Sequence, residues 1–293
     1  MTTEPSFSPL ALLGTGYIGG SVALAARRAG LAARVVGYDP DPAAAAVART
    51  RGIIDDAAPS PEAAVAGAAL VVLAAPVGSL GTLARRIAGA VAPGALVIDV
   101  GSVKGAVVRA VESAMPSGQF VGCHPIAGNE RSGPLAADAE LFRDRLCLLC
   151  PGPRATEAAV SRARAFWQGL GARVVAIAPE PHDAAMAAVS HLPHVAAFAL
   201  AASLAECLPA LAAAGPAAAS TTSLRDTTRI AASSPAVWRD IFLENRVHLL
   251  PLARALEEQV SALRAAIEQG DGQALEALLE RGRATRETLT KGS

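Results

Sequence analysis

Short apolar runs alternate with Ala- and Arg-rich stretches of helical period through the first half of the chain. The runs at Leu10–Leu13, Arg34–Tyr38, Leu70–Ala74, Leu96–Val100, Phe120–Cys123, Leu146–Leu149 and Arg173–Ile177 have strand length. Most are nearly continuous in apolar residues, the pattern of strands covered on both faces. Between them the period predicts helices near 18–29, 42–51, 61–66, 79–91, 104–114 and 154–169, several bounded by Pro or Gly. This order predicts βαβ units around a parallel, doubly wound sheet.

After Pro179 and Pro181 the strand signals stop, and from Asp183 onward the chain reads as long helical segments. We therefore expect an α/β domain over 1–178 and an all-α domain over 179–293. The Ala-rich run Ala196–Ala219 carries Phe198, Leu200, Leu204 and Leu208, which give it an apolar face. An ordered helix packed on a neighbour is expected there, and Ala permits the close approach that a homodimer interface uses. Helices from about Glu244 to Gly270 and from Gln273 to Leu289 are expected to complete this half, and no separate regulatory module is expected within it.

Composition narrows the function classes. A chain of 293 residues that is 52% hydrophobic can bury two cores. Its 26 basic and 26 acidic residues cancel, so no field draws nucleic acid or anionic lipid. Met1–Pro9 lacks the charged and apolar regions of a targeting signal, and the longest apolar runs are broken by Pro or Gly. A soluble cytoplasmic protein is expected. Four scattered cysteines make no disulfide framework, and Cys147-x-x-Cys150 lies in an apolar run that favours two core thiols over zinc or redox chemistry.

Gly14-Thr15-Gly16-Tyr17-Ile18-Gly19 follows one predicted strand and opens a predicted helix. In that context the spacing is a dinucleotide fingerprint of the Rossmann type, whose amides receive a pyrophosphate at the helix N-terminus. Asp39 ends the second predicted strand, twenty residues past Gly19, where a carboxylate accepts hydrogen bonds from the adenosine ribose. It would repel a 2′-phosphate, so NAD is expected over NADP. Ala75 and Pro76, and then Ser102, follow later strands on the same carboxyl edge and are expected to cover the dinucleotide.

Gly122-Cys123-His124-Pro125-Ile126-Ala127-Gly128-Asn129-Glu130-Arg131 sets an imidazole, a carboxylate and a guanidinium among turn-forming residues. His124 follows a predicted strand, so it falls at that same edge, where an imidazole can take a proton from an alcohol as hydride leaves its carbon. Ser102 offers a hydroxyl able to orient His124 or the nicotinamide amide, or to cap a helix. Ser190-His191-Leu192-Pro193-His194 has two imidazoles but no third ligand at a suitable spacing, so no metal site is expected. Pro193 instead marks a kink that turns one His toward the cleft. Asp226 and Arg229 are three apart, either as a surface pair or with Asp226 orienting Arg229 on a substrate carboxylate.

These motifs, with Asp99-Val100-Gly101-Ser102-Val103-Lys104 and Trp238-Arg239-Asp240-Ile241-Phe242-x-x-Asn245, resemble those of the prephenate/arogenate dehydrogenases of tyrosine biosynthesis. The resemblance runs from Leu10 to about Arg286. It implies NAD-dependent oxidative decarboxylation of a cyclohexadienol, with His124 as base, Ser102 positioning it, and Arg229 on a substrate carboxylate. It further implies substrate contact by His191, active-site polarity or gating from Glu130 and Asp226, and an aromatic entrance at Trp238. Asn129 and Leu224 depart from common versions of the family beside the substrate side chain. Prephenate is the expected substrate, with arogenate or 4-amino-4-deoxyprephenate as alternatives. A β-hydroxyacid dehydrogenase would need a helical-domain lysine, and none lies between Pro179 and Thr290.

Overall fold

The computed structural model describes residues 7–115, 117–128, 131–207, 209, 213 and 221–290. Eight strands form one sheet: β1 (Leu10–Leu13), β2 (Val35–Tyr38), β3 (Asp56–Ala57), β4 (Leu70–Leu73), β5 (Leu96–Asp99), β6 (Phe120–Pro125), β7 (Leu146–Cys150) and β8 (Arg173–Ala176). Their spatial order is β3-β2-β1-β4-β5-β6-β7-β8. All seven expected strands are present, and the two-residue β3 was too short to leave a periodic signal. The pairing departs from the parallel expectation at one place, where β7 runs antiparallel to β6. Among its described residues the connection from β6 to β7 carries a short helical turn at Pro134–Ala136 and no crossover helix, so the chain returns in the opposite direction.

Helices α1 (Tyr17–Arg28), α2 (Pro42–Thr50), α3 (Pro61–Val65), α4 (Val77–Ile87), α5 (Gly105–Ala114) and α6 (Glu157–Gly169) cover the sheet. Alternation along β1 explains the two layers of core: Leu10 and Leu12 pack with Phe166 and Trp167 on one face, Ala11 and Leu13 with Leu80 and Ile87 on the other. Local chemistry sets several helix starts. The side chains of Asp41, Ser60 and Thr156 accept from backbone amides two or three residues on, and Pro42 and Pro61 occupy first-turn positions where no amide is needed. Cys147 and Cys150 lie buried in β7, where desolvation raises both thiols and pushes Cys150 up to about 12. They are core residues, and no group of metal ligands occurs among the described residues.

Helices α7 (Pro179–Met186), α8 (Leu192–Ser203), α9 (Thr222–Thr228) and α10 (Pro235–Glu244) follow. A π-helical turn at Ala187–His191 joins α7 to α8 immediately before Pro193. Widening the turn there accommodates a ring with no N–H to give and a clash to avoid in the preceding turn. Of the helix expected over Ala196–Ala219, α8 reaches Ser203 and a 3₁₀ turn spans Ala205–Cys207, while most of 208–219, Leu208 included, lies outside the described residues. Within α8 only Ala197 is buried, so the neighbour expected to cover its apolar face is not supplied by the described residues. Pro179–Cys207 has the length and mean hydropathy, 1.5, to cross a membrane, although Pro181 and Pro193 interrupt its apolar run. In the fold its buried His182 and Asp183 are tied to β6 and α5.

Two compact units divide after Arg246. The second is an α-helical hairpin of α11 (Arg246–Gln269) and α12 (Gly272–Thr290). Gly270, at φ +64°, closes α11 with hydrogen bonds from Gly270 and Asp271 amides back to Ile267 and Ala266, and Asp271 then caps Ala274.

Candidate active site

Parallel register brings the loops of interest to one edge. Leu13 stands beside Tyr38 and Leu73, and Leu73 beside Asp99, so Gly14, Asp39, Ala74-Ala75 and Val100–Ser102 all leave the sheet together. This is the carboxyl edge where open α/β sheets bind ligands. Gly14 sits at φ +103°, and a Cβ there would come within 2.3 Å of the Ala74 carbonyl oxygen. A Cβ on Gly19 would meet the Gly14 carbonyl oxygen at 2.2 Å, so both positions require glycine for close packing. Gly16 differs: nothing lies within 4 Å of its missing Cβ, leaving backbone open to a ligand at the N-terminus of α1. The Asp39 carboxylate accepts from the Thr15 amide at 2.8 Å and the Thr15 hydroxyl at 2.9 Å, which fixes it beside the fingerprint. Tyr17 is buried, Ile18 and Ala75 are half-buried and Pro76 is exposed. A cradle of open backbone next to a fixed acid fits an adenine dinucleotide.

A buried ionic knot supports the adjacent strand ends. Lys104 Nζ meets Asp99 Oδ2, with neither side chain exposed, and also donates to the Cys123 carbonyl at 2.8 Å. Asp99 in turn accepts from the Cys123 amide at 2.9 Å and the Gly101 amide at 2.9 Å. The residue before His124 is thus gripped from both sides.

His124 is half-buried at the end of β6, and its Nδ1 lies 2.9 Å from Nε2 of His182. His182 Nδ1 lies 2.8 Å from Asp183 Oδ1. Burial, with lesser contributions from the Lys104 charge and from the positive charge that His182 or His191 would carry if protonated, holds His124 well below its ordinary pKa, so it is neutral near pH 7. Ser102 is half-buried on its loop, and among the described residues no hydrogen bond joins it to His124. The ring is held from α7 instead. Sequence reasoning missed His182 and Asp183. Their signal was a His-Asp pair behind Pro181 in a chain with five histidines, four of them between 124 and 194.

His191 is buried, with Nδ1 accepting from the Asn245 side-chain amide at 2.9 Å. That amide also donates to the Asp183 carbonyl at 2.9 Å, linking α10 to α7. Desolvation lowers His191 to about 4. Its Nε2 is buried without a partner among the described residues. His194 stacks on Trp238 with ring centroids 3.4 Å apart, and its pKa is lowered by burial with a contribution from the charge of Arg229. Arg229 is exposed at the start of a 3₁₀ turn after α9. Asp226 pairs with Arg225 at 3.8 Å. Asn129 and Glu130 lie outside the described residues. The structure therefore gathers His191, His194, Trp238 and Arg229 in one cluster beside the His124 chain, with His194 an addition to the expected set.

Comparison with known proteins carries this geometry to a family. Residues 22–176 match the model described as prephenate dehydrogenase, nucleotide-binding domain, and residues 178–281 the one described as prephenate dehydrogenase, dimerization domain. The chain belongs to the prephenate dehydrogenase family. A prephenate dehydrogenase of Bacillus subtilis is 36% identical over 90% of this chain and 71% of its own length. A cyclohexadienyl dehydrogenase of Zymomonas mobilis is 34% identical over 91% and 90%. The crystal structure of prephenate dehydrogenase from Aquifex aeolicus superposes with a TM-score of 0.82 at 30% identity, covering 95% of this chain and 99% of that one. The same Aquifex enzyme, solved with hydroxyphenyl propionate and NAD+, gives a TM-score of 0.81 at 31% identity, over 96% and 97%. The two matched stretches begin just after the fingerprint, at residue 22, and run through the helical region that supplies His182, His191 and Arg229.

Proposed function

We propose that this chain catalyses the NAD-dependent oxidative decarboxylation of prephenate to 4-hydroxyphenylpyruvate in tyrosine biosynthesis. The observation that carries the reading is a neutral imidazole, His124, on the same sheet edge as the dinucleotide cradle. The relative solved with NAD+ supports the cofactor, and Asp39 beside Thr15 supports NAD over a 2′-phosphorylated form.

Bound nicotinamide supplies the acceptor for the hydride leaving C4 of the ring. His124 takes the C4 hydroxyl proton through the nitrogen not bonded to His182. The ring carboxylate departs as carbon dioxide and leaves its electron pair to the ring, the C4 oxygen becomes a phenolate that takes a proton from solvent to give the phenol, and the gain of aromaticity drives the sum downhill. The protein's task is alignment and charge placement. Arg229 holds a substrate carboxylate, His191 offers its unpartnered Nε2 as a buried donor, and Trp238 with His194 forms the apolar wall of the entrance. The described acids of this region are paired, Asp226 with Arg225 and Asp240 with Arg239 at 2.7 Å. That favours a pyruvyl side chain over the ammonium of arogenate.

A soluble, cytoplasmic homodimer completes the reading. The apolar, largely uncovered α8, with Leu200 39% exposed, is the surface a second copy would cover, and the matched dimerization-domain model supports it. Light scattering at micromolar concentration tests the dimer, and a monomer removes it. For the activity, the rise in absorbance of reduced nicotinamide is followed with NAD or NADP against prephenate, arogenate and 4-amino-4-deoxyprephenate. Turnover with NAD and prephenate is expected. A fast rate only with arogenate or the amino analogue moves the substrate, and silence with all six pairs removes the enzyme reading.

A further inference from the structure

Hydrogen-bond polarity can be followed outward from Asp183. Its carboxylate is buried and accepts the Lys104 amide at 2.7 Å and the Gly105 amide at 2.8 Å, the opening amides of α5. Gly105 suits this contact because a Cβ there would stand 3.0 Å from Asp183 Oδ2. Burial raises this acid's pKa, but the bonds from His182 and the two amides outweigh it and leave the pKa lowered, so Asp183 is ionised near neutrality. An ionised carboxylate only accepts, which makes His182 Nδ1 the donor of the 2.8 Å bond. A neutral His182 then has a bare Nε2, and the 2.9 Å contact with His124 requires the proton to sit on His124 Nδ1.

We propose that His182 and Asp183 are positioning residues that fix the tautomer of His124, so that its Nε2 carries a lone pair toward the substrate hydroxyl. The inference rests on the dehydrogenase reading for what His124 does, while the tautomer itself is a property of the protein alone. The chain also answers the charge produced by catalysis. When His124 Nε2 takes the hydroxyl proton, the resulting imidazolium donates from Nδ1 into His182, whose other nitrogen faces the Asp183 anion. The positive charge is thereby stabilised without any proton leaving the two rings, and release of the Nε2 proton to water restores the start.

The polarity argument makes Asp183→Asn informative. Asn removes the anion that answers the imidazolium charge, and where its NH₂ displaces the Lys104 amide and faces His182 Nδ1, each bond reverses and the proton moves to His124 Nε2, where it blocks proton abstraction. Histidine ¹⁵N NMR of the wild-type protein reads the tautomer with no substitution and no substrate. The expected spectrum has His124 protonated at Nδ1 and bare at Nε2 near pH 7, and a protonated Nε2 overturns the proposal. For Asp183→Asn, kcat is expected to fall by roughly 10²–10⁴-fold, the scale of a positioned base, with NAD affinity kept. His182→Gln, whose carbonyl can still accept from His124 Nδ1, should retain the His124 tautomer and recover at least tenfold over His182→Phe. If Asp183→Asn fails to fold, the wild-type spectrum and the Gln/Phe pair still decide. Equal kcat for the Gln and Phe variants overturns the relay. Wild-type inactivity on every substrate, with the expected tautomer present, would instead count against the dehydrogenase reading.

Discussion

Asp99 and Lys104 form a fully buried ion pair whose two members each also bond the backbone of Cys123, one residue before His124. The pair joins the end of β5 to the end of β6 and so sets the height of the imidazole above the sheet. Lys104→Met fits the same space but leaves the Asp99 carboxylate buried with only backbone donors. A loss of about 3–5 kcal/mol of stability is expected, because an uncompensated buried charge remains. Urea unfolding at pH 7 measures it, and a loss under about 1 kcal/mol would mean that water or a second donor replaces the ammonium.

The strands and the fingerprint were legible because each is written in local sequence. Leu70–Leu73 is apolar throughout since both faces are covered, and Gly14, Gly16 and Gly19 are needed where backbone meets backbone or ligand. The reversal of β7 was not legible, for Leu146–Cys150 reads the same in either direction. The His182–His124 contact spans fifty-eight residues and depends on how α7 lies against β6, which no periodicity records. The His191–Asn245 bond, fifty-four residues apart, was hidden for the same reason. Ser102 illustrates the converse: its place on the edge was readable, but the absence of a bond to His124 was not.

Acid should destabilise this protein before it denatures ordinary carboxylate pairs. His191 falls from 6.5 to about 4 on folding, and His124 is also lowered, both chiefly by burial. Between those values the unfolded chain binds more protons than the native one. Stability is therefore full above about pH 6.5, declines as pH falls, and stops changing on account of His191 below about 4. The His191 share is up to roughly 3 kcal/mol. Thermal unfolding across pH 4–7 checks it, with His191→Gln expected to flatten the slope. An unchanged slope would assign the effect elsewhere.

Gly14→Ala tests the fingerprint without touching any side chain. The added methyl would stand 2.3 Å from the Ala74 carbonyl oxygen at a φ of +103°, so the loop must move away from β4. NAD affinity by calorimetry should drop at least tenfold, and stability by about 1–2 kcal/mol from the backbone conformation alone. Gly16→Ala, with nothing within 4 Å of the new methyl, should leave stability nearly unchanged while still weakening NAD. Separation of the two effects would show that Gly14 serves the fold and Gly16 the ligand.

His124→Ala tests the proposed base while leaving the dinucleotide cradle intact. Turnover should fall by roughly 10²–10⁴-fold with NAD affinity within a factor of about three of wild type. Part of the residual rate should rise with hydroxide concentration, since the substrate proton must then go to solvent. Wild-type turnover in this variant removes His124 from the chemistry.

Arg229→Ala should act on capture rather than on the chemical step. The guanidinium is exposed and close enough to His194 to lower its pKa, which places it at the mouth of the cluster rather than beside His124. A charge there attracts a dicarboxylate before and after hydride leaves equally, so its removal weakens ground state and transition state together. KM should rise at least tenfold with kcat changed by less than about threefold. The same substitution releases His194 from a neighbouring positive charge and should raise the pKa of that histidine, which ¹H NMR titration reads without substrate. A raised pKa with unchanged KM would keep Arg229 beside His194 but take it off the substrate. A fall in kcat at unchanged KM would instead place its charge in the transition state.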